Sequence, residues 1–544
     1  MPRPPRRLPV PRSMIVAPQP EAVEAGAAML AAGGNALDAT LACALTQGVV
    51  DPLMCGIGGI GTLQVFDPKS GMHLVLNGLG TCPGAAREDM WADAFEGECS
   101  DGFGYRVRGY ANELGPLAIT VPGALRIFAD AHAKLGRKPW EALFGSAIGF
   151  AEEGWIIRPH VHAMFTMDER PYGRLSYAEK LAYTEDGRRL YMRADGTPKR
   201  LGETVRNPEL AGTLRILARD GAEAFYKGEI GRRLVEAVQS RGGLLSLEDL
   251  AGYRPRIGAP IRLPYRGYTI ALAEPPAGGV VVGEMLKILE RFDLVALGHN
   301  TPDYIRVVAE AMKIAGRDKE EHIGDPDFHP PPLEMLLSDA YADACAARIR
   351  RGERASLTRV TADAQNTTHV SCVDSDGMMV SLTHTLAVPS GLIPPGMGFM
   401  LNGAMNWMDP RPGRAGSIAP GKRRYSSMSP TLVFKDGQPV VTLGAPGAAW
   451  ITVAVLQVLL NLLDWGMGMQ EAVSAPRFSA TSDTIDISNR IPRSTQKALE
   501  AAGYAVRRSY QSYAFAGVHG ITLWDGVPEG GADPQRDGYA AGVA

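Results

Sequence analysis

The sequence predicts an α+β protein, with helices gathered in its first two-thirds and β-hairpins in its last third. Apolar residues recur at helical spacing from the start, with Val23, Ala27 and Leu30 on one face. At Thr367 the composition shifts towards Val, Ser and Thr, and two hairpins follow, turning at Asp376-Gly377 and Asp436-Gly437. With 544 residues, 45% hydrophobic and 21% charged, the chain can bury a large core. Length alone would allow roughly three or four domains.

The elements read as follows. Residues 1–13 form a disordered tail, with Arg3, Arg6, Arg7 and Arg12 among five prolines. A helix runs from Pro20 to Ala32 and ends at Gly33-Gly34. A second, Ala36 to Val49, places Leu37, Leu41, Ala44, Leu45 and Gly48 on one face. The glycine-rich stretch 55–61 precedes a strand over Thr62–Phe66. It contains a formal GxGxxG at Gly56, Gly58 and Gly61, but it follows a helix and opens a strand. A dinucleotide site needs the reverse order, so a tight turn with close backbone packing is the better reading. The middle of the chain is mainly helical, with long polar connections such as Glu169–Arg200. Strands at Thr431–Phe434 and Val440–Leu443 lead into an apolar helix, Trp450 to Leu463.

Bulk properties exclude several partners. A formal net charge of -3 gives no reason to expect nucleic acid or an anionic membrane surface. Cys43, Cys55, Cys82, Cys99, Cys345 and Cys372 lack metal-ligand spacing, and scattered thiols fit a reducing, cytoplasmic compartment. The longest apolar run, Ile451–Leu463, is broken by Thr452, Gln457 and Asn461 and is shorter than the ~20 residues of a membrane span. The basic tail has no apolar stretch of the ~7–15 residues found in secretory signals.

The chemistry gathers at Asn366-Thr367-Thr368-His369. A threonine hydroxyl needs a base, and cutting the chain before Thr367 would supply one as its own α-amine, with a pKa near ~8. A three-residue loop with Gly377 left-handed pairs Asp374 with Met378, Val370 with Leu382, and Thr367 with Thr385. Thr385 would then stand beside Thr367; a one-residue slip would turn it away. Both threonines also read as ordinary strand residues. Gly447 and Ala448, at the start of the apolar helix, offer backbone N–H groups suited to an oxyanion, although a structural turn fits equally. The hydroxyl cluster Ser426, Ser427 and Ser429, beside Tyr425, either orients a polar substrate or caps a turn.

The segments Thr367-Thr368-His369-x-Ser371, Ser426-Ser427-Met428-Ser429-Pro430-Thr431 and Ala445-Pro446-Gly447 resemble the γ-glutamyltransferase family of N-terminal-nucleophile hydrolases. The likeness extends over nearly the whole chain. It includes Glu24-Ala25-Gly26, Gly33-Gly34-Asn35-Ala36, Val121-Pro122-Gly123, Gly324-Asp325-Pro326, Ala475-Pro476-Arg477-Phe478 and Gly531-Ala532-Asp533-Pro534. The resemblance implies a four-layer αββα sandwich made as one precursor. That precursor would cut itself between Asn366 and Thr367 into a large subunit, 14–366 with its tail, and a small subunit, 367–544. It further implies Thr367 as nucleophile and base, Thr385 as its support, and Gly447 and Ala448 as oxyanion donors. No metal or organic cofactor is implied, and a dimer of heterodimers is compatible with it.

Glutamyl-specific members grip the substrate's α-carboxylate and α-amine with an arginine, an asparagine, a glutamine and an aspartate. Here the matching positions include Leu79, Ala387, Ala404 and Trp407, which cannot bind a zwitterion equally well. Arg87 and His384 are the substitutes at hand, and Trp407 and Tyr425 suggest an apolar or aromatic wall. The expectation is a self-processing amidohydrolase acting on a small amide that is not a γ-glutamyl compound. Alternatives are a genuine γ-glutamyl hydrolase or transpeptidase, or an uncleaved, non-catalytic binding protein. Other members of the family include cephalosporin-type acylases and an oxamate amidohydrolase.

Overall fold

A computed structural model describes residues 11–100, 104–357 and 366–544. Most of the expected tail therefore lies outside the described residues. Its inner boundary moves, because Ser13 begins a strand, Ser13–Ala17, and the Arg12 N–H donates to the Val543 carbonyl at 2.9 Å.

Two large sheets form the centre. One has seven strands in the order Tyr539–Val543, Ser13–Ala17, Thr368–Val373, Met379–Thr385, Ile60–Asp67, Met72–Gly78 and Arg256–Gly258. The other has six, in the order Val527–Ala532, His519–Trp524, Gln438–Gly444, Thr431–Lys435, Tyr268–Leu272 and Ile261–Tyr265. Met14, Val16, Val373 and Met379 of the first sheet pack on Leu432, Phe434 and Ile521 of the second. Hydrogen bonds also cross between the sheets, from Ser381 Oγ to the Leu443 carbonyl at 2.9 Å and from Thr442 Oγ1 to the Val380 carbonyl at 3.0 Å.

Each sheet carries helices on its other face. Pro20–Ala31 and Ala36–Val50 cover the first, and Asn35 caps the second of these in a reciprocal box with Asp38. Gly279–Leu289, Pro302–His322 and Ile451–Leu463 cover the second sheet. The last has a buried side chain at every position from Ile451 to Leu462, which explains its apolar sequence. Among the described residues, no helix is long and apolar enough to cross a membrane.

The glycine stretch is a turn of close approach. A Cβ on Gly58 would lie 2.7 Å from the Met400 carbonyl oxygen, and one on Gly59 would lie 2.5 Å from that of Thr385. The polar stretch Glu169–Arg200 departs from its reading as a connection. It contains the helices Tyr177–Leu181 and Glu185–Tyr191, capped by Ser176 and Thr184. Its Arg174 and Lys180 are wholly buried, because Glu169 and Glu113 pair with them inside the protein.

Candidate active site

The hairpin that carries Thr367 has the expected register. Val370 faces Leu382, Thr368 faces His384, and Gly377 turns the chain at φ 85°. The ladder stops one pair short of Thr367 and Thr385, however. Thr367 leaves the extended conformation for φ 90°, a backbone region that costs a β-branched residue about 1–3 kcal/mol. Thr385 Oγ1 accepts the Ala387 N–H at 2.9 Å, and no hydrogen bond joins Thr385 to Thr367 among the described residues. The expected contact is thus absent from the uncut chain, because Asn366 and Thr367 are drawn away from the sheet.

Two groups draw them. The Gly447 N–H donates to the Asn366 carbonyl oxygen at 2.9 Å, and the buried Tyr177 hydroxyl donates to Asn366 Oδ1. Thr368 is treated differently: its hydroxyl accepts from Gln47 Nε2 at 2.9 Å and donates to Gln19 Oε1 at 3.1 Å. Of the two adjacent threonines, one is anchored in the strand and the other stands at the junction with its preceding carbonyl polarised.

The turn at Gly447 and Ala448 is built by its neighbours. Gly447 sits at φ 137° and Ala448 at φ 52°, and the Ala448 N–H has no partner among the described residues. A Cβ on Gly447 would fall 2.3 Å from that of Ala516, so only glycine fits. Ala516 is held from behind: Arg477 donates to its carbonyl at 2.7 Å and pairs with Asp533, both buried. Asp533 also accepts the Val518 N–H at 3.1 Å. Trp450 meets Phe515 edge-on at 5.2 Å.

The histidines near the strand start are neutral. Burial pushes His369 and His384 down to about 3, so neither serves as a proton acceptor near neutral pH. His369 Nε2 and Nδ1 lie 3.0 Å from Ser371 Oγ and 2.9 Å from Thr383 Oγ1, and His384 Nε2 donates to Gln47 Oε1 at 2.8 Å. Tyr177 is held protonated, its pKa raised by burial and by Glu169.

The positions that match the family's substrate grip are apolar here. Leu79, Ala387 and Ala404 are buried in one cluster with Ala448, and Trp407 and Tyr425 pack against it. Ala387 has φ 63°, a region that asparagine tolerates better than alanine. A cavity of about 420 Å3 is lined by Trp407, Arg424, Tyr425, Ser427 and Ala449, the last adjoining Ala448 in the chain. Ser426 does not line it, because its hydroxyl accepts the Met428 N–H at 3.3 Å inside the turn. Neither expected substitute lines it either. Arg87 is exposed and paired with Asp89, and His384 is committed to Gln47.

Tyr177, Gln47, Arg477 and Arg424 were not among the residues expected at the site. The conjunction of Arg477 and Asp533 in the two C-terminal matching motifs was the available signal for one of them.

A family model described as gamma-glutamyltranspeptidase matches residues 22–543. The chain is 36% identical over 544 residues to an acylase ACY 1 proenzyme of Pseudomonas sp. (strain V22), covering 98% of this chain and 94% of that one. It is 34% identical to a glutathione hydrolase proenzyme of Pseudomonas sp. (strain A14), covering 90% and 86%. The crystal structure of a cephalosporin acylase from Bacillus halodurans superposes with a TM-score of 0.85 at 30% identity, over 99% of this chain and 98% of that one. Matched along nearly its whole length, the chain belongs to the γ-glutamyltranspeptidase family.

Proposed function

We propose that this protein is a self-processing amidohydrolase whose nucleophile is Thr367 and whose substrate is a small amide other than a γ-glutamyl compound. The observation that carries the reading is the 2.9 Å hydrogen bond from the Gly447 N–H to the Asn366 carbonyl, next to a threonine at φ 90°. An oxyanion donor therefore already rests on the bond to be cut.

In processing, the Thr367 hydroxyl attacks the Asn366 carbonyl, the oxygen takes up negative charge against Gly447, and the acyl group moves from nitrogen to oxygen. Water then cleaves the ester, leaving Asn366 with a carboxylate and Thr367 with a free amine. In turnover that amine takes the hydroxyl proton, Thr367 attacks the substrate amide, and the amine protonates the leaving nitrogen. Water releases the acyl group from the acyl-threonine. The two facing sheets, each backed by helices, support a four-layer αββα sandwich of the N-terminal-nucleophile type, with subunits 1–366 and 367–544 interleaved. Six buried free thiols support a cytoplasmic setting.

The substrate assignment rests on Leu79, Ala387 and Ala404, which present methyl groups where an amino-acid head group would need charges. A γ-glutamyl anilide and a series of simple acyl anilides test it directly. The processed enzyme should hydrolyse at least one acyl anilide at least ~100-fold faster than the glutamyl one, the discrimination expected when buried polar partners are missing. Faster turnover of the γ-glutamyl anilide would overturn the assignment and leave a glutathione-hydrolase activity in its place.

A further inference from the structure

Thr368, one residue beyond Thr367, is the first rung of its hairpin and pairs across to His384. Residues that face each other in this way project from the same side of the sheet, and here a third residue reaches both. That residue is Gln47, in the last turn of the helix Ala36–Val50. Its Oε1 accepts from His384 Nε2 at 2.8 Å. Its Nε2 donates to Gln19 Oε1 at 2.7 Å, to Thr368 Oγ1 at 2.9 Å and, at 3.3 Å, to the His369 carbonyl.

The network has one direction. Thr368 Oγ1 donates to Gln19 Oε1 at 3.1 Å, and Gln19 Nε2 donates to Asp51 Oδ2 at 2.8 Å. An ionised carboxylate only accepts, so Gln19 turns its nitrogen to Asp51 and its oxygen to Thr368. The Thr368 hydroxyl then gives its proton to Gln19 and takes one from Gln47, and Gln47 is left to accept from His384. All five residues are 1% exposed or less, so bulk water cannot stand in for any partner. The anchor is itself fixed. The Asp51 N–H donates to the Gln47 carbonyl at 2.9 Å, and a Cβ on Gly48 would lie 2.9 Å from the Gly56 Cα, which holds the helix end against the glycine turn.

These bonds stop at Thr368. The next pair, Thr367 and Thr385, lies beyond the ladder, and Thr367 turns to φ 90° with the Asn366 carbonyl on Gly447. We propose that Gln47 is a positioning residue for the self-cut: by pinning Thr368 to His384 and Gln19 it ends the strand there, so that the chain turns at Thr367 and not farther along. The role rests on the self-processing reading and names what holds the strand against the pull of Gly447 and Tyr177. It also explains why the first of two adjacent threonines is the nucleophile, since the hydroxyl of the second is committed on both sides.

Rates of fragment appearance from the full chain, after refolding or cell-free synthesis, test this. Thr368→Val keeps the side-chain shape and leaves Gln47 bonded to Gln19 and His384, yet removes the pin. It should slow the cut ~10-fold or more, the order expected from losing two buried hydrogen bonds, while Thr368→Ser should stay within about threefold of the wild type. Gln47→Leu should slow the cut at least as much as Thr368→Val. If Gln47 acts through Thr368, the double variant should be no more than about threefold slower than Gln47→Leu alone. Losses that multiply would overturn the role. A lowered urea midpoint in Thr368→Val with the cut at its wild-type rate would show a merely structural bond and overturn it as well, as would Thr368→Val and Thr368→Ser being equally slow. Should Gln47→Leu fail to fold, the comparison of Thr368→Val with Thr368→Ser decides the matter. A wild type that is never cut would defeat the self-processing reading itself, and the positioning role with it.

Discussion

Replacing Tyr177 by Phe should slow the self-cut while sparing the enzyme that the cut produces. The hydroxyl donates to Asn366 Oδ1, and Asn366 Nδ2 is already buried without a partner. Without Tyr177, the Asn366 side chain would have no hydrogen bond among the described residues. A buried polar group left unpaired costs about 1–3 kcal/mol, which is about 5- to 150-fold if the loss is felt in the poised geometry. The ring itself would stay, still 4.8 Å beneath the Lys180 ammonium, so packing and the cation–π contact are retained. The assay is a time course of fragment appearance after refolding or cell-free synthesis, followed by turnover measurements on the cleaved material. Cleavage should slow within that range, and kcat/KM of the matured variant should stay within about threefold, since Asn366 then belongs to a free chain end. Cleavage at the wild-type rate would refute the role given to Tyr177. An equal loss in both steps would show that the residue supports the site as a whole.

Gly447→Ala should impair both processing and turnover by roughly 100- to 1000-fold, the cost of displacing one oxyanion donor. Its Cβ would fall 2.3 Å from that of Ala516, and fragment yield with anilide rates would report the loss. Ala448→Gly should act in the opposite direction on stability. Relief of a left-handed alanine, about 1–2 kcal/mol, exceeds the added unfolded-chain entropy of about 0.4–1 kcal/mol, so the urea midpoint should rise. A lower midpoint would contradict the strain. Stability should also fall in acid. His369 and His384 bind protons at about 6.5 when unfolded but only near 3 when folded, so their contribution is complete above pH 6.5 and is lost as pH falls towards 3. Asp51, raised to about 6 by burial, opposes this between its ordinary 3.8 and 6, and burial raises Glu113 and Glu284 in the same sense, whereas His73, lowered to about 3, and the buried His160 and His519, lowered likewise, add to the loss in acid. The urea midpoint should therefore drop between pH 7 and 4.5, and a flat profile would contradict the buried neutral histidines.

Local rules made the strands and the main helices readable. The Asp-Gly turns set hairpin register because few loops fit a two-stranded antiparallel pair, and Val370 does face Leu382. The Asn35–Asp38 box and Gly33 bounded the helices for similarly local reasons. Thr367 and Gly447 could be singled out in the sequence because the proposed chemistry rests there on single residues. The rest was hidden where tertiary packing creates the property. Tyr177 lies in a stretch whose charges look solvated, yet Arg174, Lys180, Glu113 and Glu169 pair inside the protein and carry it inward. Arg424 follows Lys422 and Arg423 in the chain, and only the fold stacks it on Trp407. The left-handed backbone of Thr367 has no signal in sequence at all, since it arises from the pull of Gly447 and Tyr177 on Asn366.

N-terminal sequencing of the smaller fragment, with intact masses of both, is the most direct test of the central claim. The purified protein should give two chains, the smaller beginning Thr367-Thr368-His369. Thr367→Ala should remain one chain without amidase activity. A wild-type protein that stays uncut while hydrolysing amides, or a fragment that begins at Thr368, would contradict it.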